Sequence, residues 1–439
     1  MQNTTIIALS TPPGIGGIAI IRISGPKSLQ IANKLIIEST LPNDWETRKL
    51  YNIKIRTNSF VEHGMGVVFR APKSYTGEDL VELHVHGSMA IVRGIIRAAI
   101  SHGATVAGRG EFSMRAFMSG KMDLTGAEGV RDLINSETDA QIAAAQSLVS
   151  GELYRAINSI QNTISRTLAQ IEVIIDYPEE DITLPRDTLD IIKNLAKHTE
   201  KLCASYRTGE LIKNGVKIAI IGEPNAGKSS LFNALLGRPR AIVNAQAGTT
   251  RDTIADGYIY KGVKFDLIDT AGLRETQCDI EREGITRTHE ASKNADLTIL
   301  VVDACAQNSN TSQALNPDVT VYNKSDLVQA KLAGTNLCDI AVSALKGHNI
   351  DNLKELLYTS SIGTEQIPAL MLTSNRQYSA IEEAKDYLTR AYTALEANTQ
   401  LDCVSVELFG AFKALGKATG KTAEADIISE IFESFCVGK

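Results

Sequence analysis

A glycine-rich loop between a strand-like segment and a helix-like segment carries the clearest chemistry in the sequence. The apolar run Val216–Ile221 is typical of a buried strand and leads directly into GEPNAGKS at 222–229. In a G-x-x-x-x-G-K-S loop, backbone N–H groups surround phosphates and the following helix N-terminus favours negative charge. Lys228 is expected to reach the β- and γ-phosphates, and the Ser229 hydroxyl to bind Mg²⁺. The loop predicts nucleotide contacts at Asn225, Ala226, Gly227, Lys228, Ser229 and Ser230.

Four further motifs follow in a fixed order and select the nucleotide. They are GTTRD at 248–252, DTAG at 269–272 after a strand-like run, NKSD at 323–326 and SAL at 343–345. The carboxylate of Asp326 can accept hydrogen bonds from guanine N1–H and N2–H, whereas adenine lacks the exocyclic N2 donor. The order therefore predicts GTP, with a second Mg²⁺ ligand at Thr250. The predicted contacts outside the loop are Thr249, Thr250, Asp269, Thr270, Ala271, Gly272, Asn323, Lys324, Asp326, Ser343 and Ala344.

The residue after DTAG leaves the positioning of the attacking water open. GTPases of the Ras type use a glutamine there, and this chain has Leu273. The nearest acidic candidates are Glu275, Asp279 and Glu281, and the alternative is a solvated, charged loop. The role of Asn225 also stays open. Its amide oxygen could ligate a small cation, or the residue could simply fill a neutral position in the phosphate loop.

Composition predicts a cytoplasmic globular protein of two or three domains. The 439 residues are 43% hydrophobic and 22% charged, and six scattered cysteines include no C-x-x-C pair. No apolar run reaches the length of a membrane span, so no membrane association is expected. The net charge is -6, yet residues 1–120 hold 13 Lys and Arg against 8 Asp and Glu. That local excess favours an anionic ligand for the N-terminal part.

Periodicity predicts an α/β fold combined with a helical domain. Residues 1–118 show short strand-like runs punctuated by Gly and Pro, with a helix from Met89 to Ile100. Apolar residues at three- and four-residue spacing predict a helical domain in two halves, 119–212 and 375–439. Between them, 213–374 alternates strands with helices. We expect a mixed α/β N-terminal domain, a helical domain and an inserted Ras-like P-loop GTPase domain.

Motifs near both ends make the chain similar to a known family. TPPGIGGIAIIRISG, SYTGEDLVELHVHG and GRGEFSMRAF stand near the start, DTAGLRE follows in the third motif, and the chain ends in FCVGK. Together they resemble the tRNA uridine-modification GTPases called MnmE or TrmE. The resemblance implies a homodimer formed through the N-terminal domains, which works with the flavoprotein MnmG as a heterotetramer. It implies addition of an aminomethyl or carboxymethylaminomethyl group to C5 of the wobble uridine in certain tRNAs.

The same resemblance implies roles for individual residues. It gives Glu281 the water-orienting role, so that Glu281 and Lys228 are the two expected catalytic residues. It also implies K⁺ ligands at Asn225, Asn244, Gln246 and Thr249. The resemblance also implies a GTP contact at Asn244, which departs from the Thr or Ser usual at its position. A 5-formyl- or methylene-tetrahydrofolate is implied as the one-carbon source, with contacts from Arg22, Glu82, Lys121 and Lys439. We expect the cations to bind the folate's glutamate carboxylates and Glu82 to bind the pterin N–H edge. Cys436 is either a reactive thiol near that pocket or a buried structural cysteine.

A second function class stays open from sequence. A regulatory GTPase switch or a ribosome-assembly factor would carry the same nucleotide motifs and act by binding and release. The folate set and the Cys-Val-Gly-Lys tail distinguish the two, because a pure switch has no use for a folate pocket.

Overall fold

The computed structural model describes residues 4–38, 40–237, 256–269, 295–306, 317–328, 339–364 and 366–438. The chain forms two compact units. The first comprises Met1–Arg131, Leu148–Leu195 and Glu383–Lys439, and the second comprises Asp132–Ser147 and Ala196–Glu382.

The first unit opens with a mixed sheet. Among the described residues its order is β3-β4-β5-β2-β1-β6, with β1 and β6 parallel and the other neighbours antiparallel. Two strands, β3 and β6, were not predicted from the sequence. The strands are β1 (Thr5–Leu9), β2 (Gly16–Ser24), β3 (Tyr51–Arg56), β4 (Val61–Phe69), β5 (Leu80–Gly87) and β6 (Ala104–Val106).

The two faces of this sheet differ in character because side chains alternate along each strand. Ile21, Ile23 and Leu83 are fully buried in the core on one face. Arg22 and Glu82 occupy the intervening positions and pair across β2 and β5. The helices that accompany the sheet are α1 (Ser28–Leu35), α2 (Met89–Ser101) and α3 (Glu111–Met118).

Further helices follow the sheet along the chain and are divided between the two units. The long helical pattern after Thr125 divides into α4 (Leu124–Ile134), α5 (Asp139–Val149) and α6 (Glu152–Asp176). The later helices are α7 (Thr188–Ala204), α8 (Tyr206–Asn214), α11 (Asn375–Glu396), α12 (Leu401–Thr419) and α13 (Ala425–Glu433). The amide of Gln161 on α6 donates to the backbone oxygen of Phe412 on α12 at 3.0 Å. Within the described ranges no helix combines the length and apolarity needed to cross a membrane.

The second unit contains a largely parallel sheet. Among the described residues its order is β12-β11-β10-β7-β9-β8, and only β8 runs antiparallel to its neighbour. Since parallel strands end at one edge of a sheet, the loops after β7, β10 and β11 meet there. The elements are β7 (Val216–Gly222), α9 (Lys228–Leu236), β8 (Asp256–Tyr260), β9 (Val263–Asp269), β10 (Leu297–Asp303), β11 (Val319–Asn323), β12 (Asp339–Ala341) and α10 (Ile350–Ile362).

A short segment that precedes the sheet in sequence belongs to the second unit. In this segment, 132–147, Asp132 forms an ion pair with Lys213 at 2.7 Å. The amide of Gln141 donates to the backbone oxygen of Lys213 at 3.0 Å, and Ala144 joins the core beneath the sheet. The division into four segments derived from sequence, 1–118, 119–212, 213–374 and 375–439, remains a prediction.

Candidate functional site

The loop after β7 has a backbone that only glycine fits at two positions. Gly222 has φ +146°, and a Cβ there would clash with the carbonyl oxygen of Val301. Gly227 has φ +93°, and a Cβ there would clash with the side-chain amide of Asn323. Both residues therefore allow neighbouring backbone or side chains to approach closely. This close approach shapes a phosphate-sized loop at the start of α9.

The predicted phosphate contacts lie around this loop. Lys228 begins α9 and its ammonium donates to the backbone oxygens of Gly222 at 2.9 Å and Glu223 at 2.8 Å. Phosphate oxygens would offer the ammonium stronger, charged acceptors. Ser229 and Ser230 follow in the first turn of α9 and are exposed, and Asn225 is exposed with φ +63°. The arrangement suits a triphosphate with Mg²⁺ held through the Ser229 hydroxyl.

Asn323 connects the guanine motif to the phosphate loop. Its side chain is 3% exposed, and its amide donates to the carbonyl oxygen of Ala226 at 3.1 Å. Its own side-chain oxygen accepts from the backbone N–H of Ala344 at 3.1 Å. One buried amide thus holds together three of the motifs found in sequence. Its role is to position their backbones.

Asp326 is oriented by the SAL loop. The hydroxyl of Ser343 donates to Asp326 Oδ1 at 2.7 Å, and Lys346 Nζ lies 3.8 Å from the other carboxylate oxygen. The hydrogen bond from Ser343, followed by weaker effects that include the Lys346 charge, lowers the pKa of Asp326 below its usual value. The carboxylate therefore stays ionised at neutral pH, as an acceptor for two guanine N–H groups must.

Sequence reasoning missed the partner of Lys324. Its ammonium lies 2.6 Å from Asp303 at the end of β10, and Lys324 itself has φ +64°. The hydrogen bond from Lys324 lowers the pKa of Asp303. This ion pair fixes the lysine stem beside the base-reading loop. A clue was available, because Asp303 ends a buried strand next to the strand that leads into NKSD.

Part of the predicted nucleotide site lies outside the described residues. Asp269 ends β9, and its backbone pairs in register with Ile220 of β7. Because β7 leads into the phosphate loop, the end of β9 lies beside the start of that loop. Outside the described ranges lie Asn244, Gln246, Thr249, Thr250, Thr270, Ala271, Gly272, Glu281 and its alternatives Glu275 and Asp279.

The N-terminal sheet presents an ion pair with aromatic neighbours. Arg22 Nε and Nη2 both donate to Glu82 Oε1, at 3.0 and 2.8 Å, and the two side chains are 16% and 15% exposed. The guanidinium lies 5.4 Å from the ring centre of Tyr75 and 5.6 Å from that of Phe112. His84 Nε2 lies 3.5 Å from the other Glu82 oxygen. Sequence reasoning missed these three neighbours, although His84 shares a strand face with Glu82.

The ion pair between Arg22 and Glu82 changes which part of a ligand each residue can contact. Sequence reasoning gave Arg22 to the glutamate end of a folate and Glu82 to the pterin end. Because they contact each other, both face the same part of any bound molecule. Lys121 stands apart from the pair, in the turn after α3, and its side chain is exposed.

The C-terminal tail lies against the N-terminal sheet within the first unit. Val437 forms a backbone bridge with Arg109, and the hydroxyl of Ser10 donates to the carbonyl oxygen of Gly438 at 3.2 Å. Gly438 has φ +95°, and a Cβ there would clash with the carbonyl oxygen of Leu9. Cys436 is exposed, so the alternative of a buried structural cysteine is wrong. Lys439 lies outside the described residues.

Two family models match the chain. The model described as the GTP-binding protein TrmE N-terminus matches residues 5–121, and the MnmE helical domain model matches residues 124–436. Solved structures similar to the chain include the FeoB G domain from Methanococcus jannaschii. That domain is 27% identical, with 33% of this chain and 97% of that domain covered and a TM-score of 0.26.

Curated relatives match over the full length. A tRNA modification GTPase MnmE from Natranaerobius thermophilus is 35% identical over 459 aligned positions, covering 100% of both chains. One of the same name from Streptococcus thermophilus is 37% identical, covering 99% of this chain and 98% of the relative. Together with the P-loop and the NKSD motif, these matches make the chain a GTP-hydrolysing enzyme. It belongs to the MnmE family of tRNA modification GTPases.

Proposed function

We propose that this chain couples K⁺-stimulated GTP hydrolysis to modification of the wobble uridine of certain tRNAs. An aminomethyl or carboxymethylaminomethyl group would be added at C5, with its one-carbon unit taken from a tetrahydrofolate. The chain would act as a homodimer with the flavoprotein MnmG. Full-length similarity to relatives named as tRNA modification GTPases is the observation that carries this proposal.

The Arg22–Glu82 pair supports the folate part. A largely buried carboxylate paired with a guanidinium, which itself lies beside two aromatic rings, suits a flat heterocycle with N–H donors. Glu82 Oε2 accepts no hydrogen bond from Arg22, so it is oriented toward other donors. We assign the pterin edge to this pair, and the glutamate carboxylates to Lys121 and Lys439.

The phosphate loop supports the cation part. Asn225 is exposed in a left-handed conformation within the loop, so its amide oxygen is accessible to a monovalent ion beside the phosphates. We assign K⁺ to Asn225 with Asn244, Gln246 and Thr249, Mg²⁺ to Ser229 and Thr250, and the orientation of water to Glu281. When bound, the two cations would neutralise phosphate charge during hydrolysis.

Mass spectrometry of wobble uridines tests the whole proposal. Cells that lack this protein should accumulate tRNA without the C5 group, and the intact gene should restore it. A Lys228→Ala copy should fail to restore it, because the ammonium that stabilises the phosphates is gone. Full modification in cells without the protein would instead favour a switch or assembly factor.

A further inference from the structure

The first unit contains a cavity beside Lys121. Its volume is about 520 Å³, and it lies between the turn that follows α3, the first turn of α6 and the end of α12. Pockets that bind small molecules have volumes of about 300–1,000 Å³. The size therefore suits an extended small-molecule segment.

Three cations line this cavity against one carboxylate. The cations are Lys121, Arg155 and Lys421, and the carboxylate is Asp123. Asp123 Oδ1 accepts from the first N–H groups of α4, at 2.8 and 3.1 Å, so it serves to cap that helix. The cavity is left with a net positive charge, which raises the local concentration of anions.

Two of the cations are held by neutral partners. Arg155 donates to the backbone oxygen of Ser150 at 3.1 Å. Lys421 donates to the side-chain oxygen of Asn158 at 2.8 Å and lies 5.3 Å from the ring centre of Tyr154. Within the described part of the chain, no ion pair engages Lys121, Arg155 or Lys421. Three positive charges, two of them oriented by neutral partners, therefore remain without an ion-pair partner among the described residues.

The cavity and the proposed folate site share Lys121. Tyr75 packs beside Arg22, and two residues later Gly77 closely approaches the turn after α3. A Cβ at Gly77 would lie 2.9 Å from Ser119 Cβ and 3.5 Å from Lys121 Cε. Arg22 is already paired with Glu82, so the carboxylates of a ligand held there must find their cations further along. Lys121 is such a cation, and it lines the cavity.

From this geometry we infer that the cavity binds the poly-γ-glutamyl tail of a reduced folate. The inference rests on the proposed folate function and specifies the form of the ligand. Each added γ-linked glutamate brings one further carboxylate, and the cavity offers Arg155 and Lys421 beyond Lys121. The phosphate backbone of an RNA would need cations spread along an open surface, whereas these three converge on one cavity.

Calorimetry on the full-length protein with two pure ligands tests the inference. The ligands are 5-formyl-tetrahydrofolate with one glutamate and with three. Two additional ion pairs at a partly exposed site are expected to make the triglutamate bind about tenfold more tightly. The double variant Arg155→Gln/Lys421→Gln should lose this advantage and bind both ligands as the wild type binds the monoglutamate. Arg166→Gln/Lys413→Gln, which removes exposed cations from α6 and α12 that do not line the cavity, should keep it.

The outcomes separate the inference from the function on which it rests. Equal affinity of the wild type for both ligands would overturn the polyglutamate site and leave the pterin site standing. Absence of binding by either ligand would remove the folate site and the inference together. A double variant that keeps the triglutamate advantage but loses tRNA affinity would assign these cations to RNA. Loss of monoglutamate affinity in the double variant would mean that the cations only support the local fold, and would also overturn the inference.

Discussion

The amide of Asn323 lies 3.1 Å from the carbonyl oxygen of Ala226, so the base-reading motif is hydrogen-bonded directly to the phosphate loop. The same side chain accepts from Ala344 N–H at 3.1 Å. The bond to Ala226 is buried and the bond from Ala344 is partly buried, and an unsatisfied buried polar group costs about 1–3 kcal/mol. The three loops are therefore expected to hold their geometry together.

Asn323→Ala is accordingly expected to weaken GTP binding by at least about tenfold, since it removes the side chain that bonds the backbones of two other loops. Titration with a fluorescent GTP analogue measures the effect. Asn352→Ala, at an exposed position on α10, is the matched control and should bind normally. If both variants bind like the wild type, the amide does not organise the site.

Asp326→Asn is expected to shift preference from guanosine to xanthosine nucleotides. Xanthine has a carbonyl where guanine has its amino group, and an asparagine amide can donate to that carbonyl. The Ser343 hydroxyl, 2.7 Å from Oδ1, can still orient the new side chain. Competition between GTP and XTP measures the shift, with Asp351→Asn on α10 as a control. An unchanged guanine preference would place base recognition elsewhere.

The part of the nucleotide site that could be predicted from sequence is the part formed by residues close together in the chain. Gly222, Gly227 and Lys228 are fixed by the strand–loop–helix pattern, and the structure places that loop after β7 and before α9. Long apolar runs likewise predicted β7, β10 and β11. The first strand run, IIALS, corresponds to β1 in the structure.

What sequence did not supply is pairing between distant residues. Lys324 with Asp303, and Arg22 with Tyr75 and Phe112, are separated by about twenty to ninety positions and meet only through sheet register and loop packing. The strand β3 was also missed, because its short alternation of polar and apolar residues carries a weak signal beside neighbouring turns.

GTP turnover is expected to be much faster in K⁺ than in Na⁺ at equal ionic strength. A cation among the phosphates would neutralise charge developing in the transition state, and an arginine in that role is worth about 10³–10⁵ in rate. Asn225→Ala should remove most of the difference between the two salts. Equal wild-type rates in K⁺ and Na⁺ would contradict the assignment.

Glu281→Ala is expected to bind GTP normally and hydrolyse it far more slowly. A positioned acid–base group typically contributes about 10²–10⁴-fold to a rate. Single-turnover hydrolysis and nucleotide affinity are measured on the same preparation. Glu275→Ala and Asp279→Ala are the matched comparisons from the same loop. A parallel fall in affinity and turnover would make Glu281 a structural residue.

Arg22→Ala is expected to weaken reduced-folate binding by more than tenfold. The substitution leaves Glu82, which is 15% exposed, without its guanidinium partner, and breaking a desolvated pair of this kind costs about 2–5 kcal/mol. It also removes the cation that lies 5.4 Å from the ring centre of Tyr75 and 5.6 Å from that of Phe112. Calorimetry with 5-formyl-tetrahydrofolate monoglutamate measures the loss.

Arg97→Ala, which replaces an exposed arginine on α2, is the control and should bind like the wild type. GTP turnover in the same sample distinguishes loss of the pterin site from unfolding of the chain, because the nucleotide residues lie in the other unit. Equal folate affinity in wild type and Arg22→Ala would show that the ion pair is structural and that the pterin is bound elsewhere.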